Sequence, residues 1–285
     1  MTVRIAPEGR AFLNVGCGDT YFQEWNNCDL LPGRDVVPHD LRRPLPYAAG
    51  VFDAVYCSHV LEHLNPGDGA ALLREMFRVL KPGGVCRLVV PDLEAICRLY
   101  LQYLDEAARD SAPEKIRRYD WMVLELLDQM VRETRGGLMR QALDRGEFDE
   151  ALARNRVGDH FDKIRPGSEP IRLKSNRSDI PGGADRLDEG VGNRLRRRWA
   201  RLRLWFTSRS NDPRSTGETH RWMYDRLSLT RVMAKAGFAR CSVKSFDESD
   251  IPHWDKYNLD VSKYGQRPRK PDSLYVEGTR PEVQP

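Results

Sequence analysis

Up to Pro91 the apolar residues come in short runs broken by glycine, proline and asparagine; beyond it they recur every three or four positions. Phe12 to Val15, Asn26 to Leu30, Val51 to Ser58 and Val85 to Val90 read as strands of a parallel sheet, with a helix over Ala70 to Leu80. Leu31 to Asp35 and Arg42 to Tyr47 are loops by their prolines and glycine. From Leu93 the rhythm is helical: Ile96, Leu99, Tyr100 and Tyr103 share a face, and after Pro113 the residues Ile116, Val123, Leu127, Met130 and Val131 continue it. Gly136-Gly137 interrupts this spacing, and a weaker helix is predicted over Leu138 to Leu152. Residues 158–190, rich in Gly, Pro, Asp, Ser and Arg, predict a loop or partial disorder. A helix over Ser228 to Ala236, stopped by Gly237, leads to strands at Cys241 to Phe246 and Ser273 to Gly278. Between those strands Ser249 to Lys270, with His253, Trp254, Tyr257 and Tyr264, reads as a loop near the mouth of a site.

At 285 residues the chain can bury a full core. The longest apolar runs are only a few residues and the N-terminus MTVRIAPEGR lacks the apolar segment of a signal peptide, which predicts a cytoplasmic protein. Six cysteines form no C-x-x-C pair, so reduced packing thiols are expected and a cysteine metal site is not. The net charge of +4 is local, because seven arginines and no acid fall between Arg194 and Arg209. On a helix over Asn193 to Phe206, Leu195, Trp199, Leu202 and Phe206 form one stripe with arginines around it, a pattern that suits an anionic membrane surface or a phosphate-bearing acceptor. A surface helix with a solvated basic face has the same pattern. Nucleic acid fits less well, since the aromatics cluster on a helix and are not displayed on a sheet.

The chemistry gathers where strands end. Val15 runs into Gly16-Cys17-Gly18, a turn with bare backbone that a ligand can touch, although such turns also end strands for structural reasons alone. Asp29 closes the next strand, where a carboxylate matches the two hydroxyls of a ribose. The interval between them is short and Thr20 stands where a dinucleotide fingerprint has its third glycine, so a pyrophosphate would lose its helix N-terminus. An adenosyl ligand without phosphate fits better, and S-adenosylmethionine is the commonest. Ser58, His59 and His63 follow one strand and Asp92 another. If Val60 onward is helical, His59 and His63 share a face, and a histidine is the natural base near neutral pH. His63 also suits a purely structural role in its turn, and Asp92 a cap on the helix beginning at Leu93. His220 is a weaker base candidate. The histidine pair alone lacks a third metal ligand at recognisable spacing, so no metal is expected.

The ordered set FLNVGCGD, FDAVYCSHVLEHL and LREMFRVLKPGG resembles the class I S-adenosylmethionine-dependent methyltransferases over about residues 10 to 95. The resemblance implies a Rossmann-like α/β fold, a seven-stranded sheet with helices on both faces and a helical insertion after the fifth strand. It implies a cofactor set of Val15, Gly16, Cys17, Gly18, Asp29, Leu30, Asp40, Leu41, Ser58 and His59, with Asp40 at the adenine amino group unless it only caps a turn. It implies a catalytic base from His63, Asp92 or His59. Residues 1–92 and 220–285 would form the cofactor domain, and 93–219 an acceptor-recognising cap. The segments HRWMYD, AGF and PDSLYVEG are similar to a subgroup often found among bacterial glycan-assembly genes. That similarity implies a sugar hydroxyl on a glycan, glycolipid or nucleotide-linked sugar as acceptor. The alternatives are a soluble secondary metabolite, methylated on oxygen or nitrogen, or a non-catalytic basic binding protein on a degenerate fold.

Overall fold

The structure is a computed structural model and describes residues 2–164 and 217–282. Seven strands form one mixed sheet: β1 (Phe12–Val15), β2 (Asn26–Asp29), β3 (Val36–Pro38), β4 (Phe52–Ser58), β5 (Leu80–Pro91), β6 (Ala239–Lys244) and β7 (Ser273–Thr279), in the order β3-β2-β1-β4-β5-β7-β6. The first five run parallel and β7 lies antiparallel between β5 and β6. Register aligns the strand ends on one edge: Val15 faces Cys28 and Cys57, Ser58 faces Val89, and Pro91 faces Ser273. The loops after β1, β2, β4 and β5 therefore open side by side, where ligands of parallel sheets bind.

One face of the sheet is covered by helices. α1 (Pro66–Val79) begins earlier than the apolar pattern predicts, because Asn65 caps it by accepting from the Asp68 amide at 2.9 Å and Pro66 fits its first turn. It buries Leu72, Leu73, Met76 and Val79 against Leu13, Val55 and Leu88. Farther along the chain, Asp225 and Ser228 form a capping box for a helix over Arg226–Lys235 that buries Leu229 and Met233 in the same core. The opposite face is closed mainly by aromatic loops. Trp25 and Tyr257 stack on Phe12 with ring centroids 4.9 and 5.6 Å away, and Trp254 packs near Tyr56. Trp254 and Tyr257 are thus core residues on a single helical turn (Trp254–Tyr257), not free groups at the mouth; Tyr264 is exposed.

Beneath these loops Arg87, fully buried on β5, uses all five donors. Its Nε donates to Asp260 (2.7 Å), Nη1 to Glu277 and the Glu248 carbonyl (both 2.8 Å), and Nη2 to the Ser245 and Phe246 carbonyls (2.9 and 3.4 Å). Asp260 in turn accepts from the Tyr56 hydroxyl at 2.5 Å.

After β5 the chain builds a helical cap with its own core of Ile96, Trp121, Met122, Leu143, Ala153, Phe161 and Met223. It comprises α2 (Leu93–Arg109), α3 (Pro113–Val123), α4 (Gln129–Val131), α5 (Gly137–Arg145), α6 (Glu150–Val157) and α7 (Phe161–Ile164). Leu124–Asp128 forms a π-turn between α3 and α4, which advances the face by an extra residue. That shift overturns the expected inward stripe: Leu127 and Val131 are more than half exposed, Met130 is exposed, and Glu125 and Asp128 are buried instead. Both charges are matched, Glu125 by Arg156 at 2.9 Å and Asp128 by Arg132 at 3.1 Å. The predicted single helix over Leu138 to Leu152 is two, because Gly146 ends α5 in a left-handed turn and Asp149 caps α6. The predicted loop at 158–190 begins with a 3-10 turn over Gly158–His160 and then α7. Its remainder from 165 and the Asn193 to Phe206 segment lie outside the described residues. All six cysteines are free thiols, and among the described residues no helix is long and apolar enough to cross a membrane.

Candidate active site

The loop after β1 is shaped by two glycines. Gly16 has φ +68° and Gly18 φ +53°, conformations that side chains seldom adopt, and both the Gly16 and Cys17 amides donate to the Cys28 carbonyl (2.8 and 3.2 Å). Asp29 clamps this loop: one carboxylate oxygen accepts from the Gly18 amide at 2.9 Å and the other from the Leu31 amide at 3.0 Å. A carboxylate offers about four acceptor positions, so capacity for a ribose diol remains. Space beside Gly18 is open, with no atom within 4 Å of where a Cβ would stand. Burial pushes the Cys17 thiol up to about 12, so this cysteine is a neutral packing group in the loop.

The other cofactor candidates are distributed unevenly. Val15 is buried at the end of β1, Leu41 lies close to Gly16, and Leu30 is 54% exposed. Ser58 ends β4 with a buried hydroxyl that has no hydrogen-bond partner, an orphan that a ligand would satisfy. Asp40 is engaged by Arg42, whose Nε and Nη2 donate at 2.9 and 2.8 Å and hold the Asp40 carboxyl below the usual range. An adenine amino group would share Asp40 with that guanidinium.

Across the edge from Gly16 the histidines meet a carboxylate. They do not share a helical face as expected: His59 takes a left-handed φ of +54°, and only a 3-10 turn over Leu61–His63 follows. Instead both rings flank the fully buried Glu62, with His59 Nδ1 3.2 Å and His63 Nε2 3.8 Å from Glu62 Oε1. His59 Nε2 lies 2.9 Å from the Ser273 hydroxyl, and burial lowers its pKa. The three histidine contacts outweigh burial at Glu62 and keep it ionised, well below the usual carboxylate range.

His220 joins this group through a strap over 219–222. The Arg221 and Trp222 amides donate to the Glu62 carbonyl (2.7 and 3.2 Å), and the His220 amide donates to the Gln129 carbonyl of the cap (2.8 Å). Its ring meets His63 edge-on with centroids 4.9 Å apart. Lys270, which precedes β7, is drawn down to about 8 by burial and the Arg269 charge, with Glu62 and Asp272 partly offsetting them. Asp92 caps α2 by accepting from the Ala95 amide at 3.2 Å, and burial raises its pKa. The structure thus brings His59 and His63 together with Glu62 and His220 and gives Asp92 a helix end to hold. Glu62 was visible in the sequence only as part of a turn motif; its burial depends on the strap, which arrives from far along the chain. Lys270 had no local pattern to reveal it.

Residues 28–88 match the family described as a methyltransferase domain. A demethylmenaquinone methyltransferase of Mycolicibacterium vanbaalenii is 46% identical over 79 residues, which cover 26% of this chain and 33% of that protein. The chain therefore spans about a third of the length of this curated relative. Among solved structures, a Thermotoga maritima S-adenosylmethionine-dependent methyltransferase is 11% identical with a TM-score of 0.37, covering 95% of this chain and 82% of that one. A Micromonospora echinaspora amino pentose methyltransferase with S-adenosylmethionine bound is 27% identical with a TM-score of 0.24, covering 29% of this chain and 43% of that one.

Proposed function

We propose that this chain is a class I S-adenosylmethionine-dependent methyltransferase that transfers a methyl group to a sugar hydroxyl. The reading rests on one juxtaposition: the glycine loop clamped by Asp29 opens on the same sheet edge as the histidine and carboxylate group beneath the cap. The loop residues Gly16, Cys17 and Gly18 would hold the cofactor's amino-acid end, Asp29 its ribose, and Ser58 and Leu41 the wall between. Bound there, S-adenosylmethionine supplies a methyl group on a cationic sulfur that an aligned nucleophile takes by in-line displacement, leaving a neutral thioether.

The protein's remaining tasks are to exclude water and to take the acceptor's proton. His63 is the better placed base, with 27% of its side chain exposed against 13% for His59, whose nitrogens already face Ser273 and Glu62. Glu62 Oε1 lies 3.8 Å from its Nε2, a carboxylate beside the ring that would take the hydroxyl proton. Residues 93–219 form the acceptor-recognising cap on this reading, and 1–92 with 220–285 the cofactor domain. The family match ends at residue 88, before the cap begins, so the cap is where this chain's acceptor preference would reside. The arginine-rich Asn193 to Phe206 segment suits a lipid- or phosphate-linked acceptor at the cytoplasmic face of a membrane.

Asp29→Ala is expected to weaken S-adenosylmethionine binding by about 1.5–3 kcal/mol through lost charge-assisted hydrogen bonds, read by calorimetry. Unchanged affinity would remove Asp29 from the ribose site. His63→Ala should bind cofactor normally and lose turnover, whereas Asp92→Asn, which keeps an acceptor for its cap, should lose little stability. The acceptor is tested with methyl-labelled cofactor against nucleotide sugars, lipid-linked oligosaccharides and a demethylmenaquinone. Label on a sugar oxygen supports the reading; label only on a quinone ring carbon, or only on a nitrogen, contradicts the acceptor class while leaving methyl transfer intact.

A further inference from the structure

Glu62 is fully buried, yet neither of its carboxylate oxygens accepts a directed hydrogen bond. The carboxylate has lost its water without gaining a directed donor among the described residues, an arrangement that favours a cation placed against it. The Arg132 guanidinium of the cap does not take that place, because it is committed to Asp128 at 3.1 Å and Glu218 at 2.9 Å. His59 approaches within 3.2 Å, but its other nitrogen is held at 2.9 Å from the Ser273 hydroxyl.

Two imidazoles beside Glu62 are arranged as ligands. His63 Nδ1 lies 3.4 Å from the Thr219 carbonyl, which accepts its proton and leaves the Nε2 lone pair on the side of Glu62. His220 Nδ1 is buried with no hydrogen-bond partner among the described residues. One ligand atom each from Glu62, His63 and His220 lies within 4.8 Å of the others. A filled tetrahedral shell brings such atoms to about 3.3 Å, so small side-chain rotations would close the site. The backbone that carries them is already fixed: the strap amides bond to Glu62, and His220 is tied to the cap at Gln129.

We propose that Glu62, His63 and His220 bind a divalent transition-metal ion through one carboxylate oxygen and two imidazole nitrogens. The sequence concealed this site because the two histidines of the 59–63 turn lacked a third ligand; the structure replaces His59 with Glu62 and brings His220 across on the strap. The inference deepens the methyltransferase reading and rests on it for its purpose: three protein ligands leave coordination positions for an acceptor oxygen, whose proton the ion makes easier to remove. With His63 on the ion the acceptor's proton would leave to solvent instead of to His63, and the loss of turnover expected for His63→Ala would report a lost ligand and not a lost base.

The test uses tag-free, full-length protein stripped with a chelator and titrated with zinc chloride against a chromophoric competitor, without cofactor. One zinc per chain with a submicromolar Kd is expected, weakened about a hundredfold or more by Glu62→Gln and by His220→Asn, and unchanged by His253→Ala. Absence of zinc binding to the unaltered chain overturns the proposal, as does binding that survives Glu62→Gln combined with His220→Asn. Should those variants fail to fold, cobalt(II) loaded into the unaltered chain reports the ligands: visible d–d bands without thiolate charge transfer support the site, and a thiolate band overturns it. Titrating the same preparation with S-adenosylhomocysteine separates the two readings. Zinc binding without cofactor binding leaves the ion site standing and removes its methyltransferase purpose; cofactor binding without zinc does the reverse.

Discussion

Gly16→Ala is expected to destabilise the protein by about 2–4 kcal/mol and to reduce S-adenosylmethionine binding to a small fraction of its original strength. The backbone at Gly16 holds φ +68°, and an added Cβ would stand 2.2 Å from Val60 Cγ2. Val60 is β-branched and precedes the turn that carries Glu62 and His63, so it can yield only by moving that turn. The alternative is for the loop to open, which breaks the amide contacts of Gly16 and Cys17 with Cys28. Gly18→Ala is the informative contrast. Its Cβ meets nothing within 4 Å, so the stability cost is limited to the strain of φ +53°, about 1–2 kcal/mol, while the new methyl group projects into space the cofactor would occupy. Denaturation and calorimetry on the two variants separate strain from occlusion. Wild-type stability and affinity for Gly16→Ala would mean that this loop does not cradle the cofactor.

Arg87→Met is expected to cost about 3–5 kcal/mol in urea denaturation, the largest loss of stability from a single site in this sheet. The substitution keeps an unbranched apolar stem but leaves Asp260 and Glu277, both 2% exposed, without their guanidinium. Stacking is lost as well, since the guanidinium lies 4.7 Å from the Trp254 ring centroid and 5.2 Å from that of Tyr275. Asp260→Asn with Glu277→Gln in the same chain should recover part of the loss, because neutral amides tolerate burial that carboxylates do not. The consequence reaches the loop after β1. The Asp260 carbonyl accepts from the Arg269 amide at 2.7 Å, and Arg269 Nη1 donates to the Thr20 hydroxyl at 2.7 Å. A loosened Asp260 therefore loosens Thr20, and weaker cofactor binding should accompany the stability loss. A cost below about 1 kcal/mol would show that the carboxylates find other partners.

The sheet was legible in the sequence because each strand of its parallel part is a compact apolar run ended by a turn former, and because Gly16 and Asp29 mark strand ends by residue type. The three-residue β3 was not singled out, since Val36–Pro38 is too short to show alternation between two loops. In the cap the helical rhythm located α2 and α3 correctly, and Ile96, Leu99, Tyr100 and Tyr103 do pack together. It failed from Leu124 onward because the π-turn changes the period locally, and nothing in a 3.6-residue count anticipates the charge pairs that bury Glu125 and Asp128. Gly137 is needed there for a reason outside its own helix: a Cβ would stand 2.4 Å from the Asp128 carboxylate oxygens.

The site divides along the same line. Its glycine-loop half depends on neighbours in sequence, and the candidates Gly16, Gly18 and Asp29 are found hydrogen-bonded around one loop. Its other half depends on contacts between distant segments. His59 and His63 were picked out by spacing for a helix that does not form, yet they still converge, because the left-handed turn at His59 points both rings at Glu62. His220 and Lys270 enter from segments joined to this edge only by the strap and by β7, so no local pattern placed them. Asp92 shows the converse: a residue in the right place by topology whose carboxylate is occupied by the helix it starts.

The central claim is that the loop from Gly16 to Gly18 with Asp29 holds an adenosyl cofactor. Calorimetric titration of the purified chain with S-adenosylmethionine and with S-adenosylhomocysteine tests it most directly. The account predicts one site per chain for each ligand, with micromolar affinity that falls in Asp29→Ala and in Gly18→Ala. Absence of binding heat for both ligands, with competition experiments also showing none bound, would contradict it.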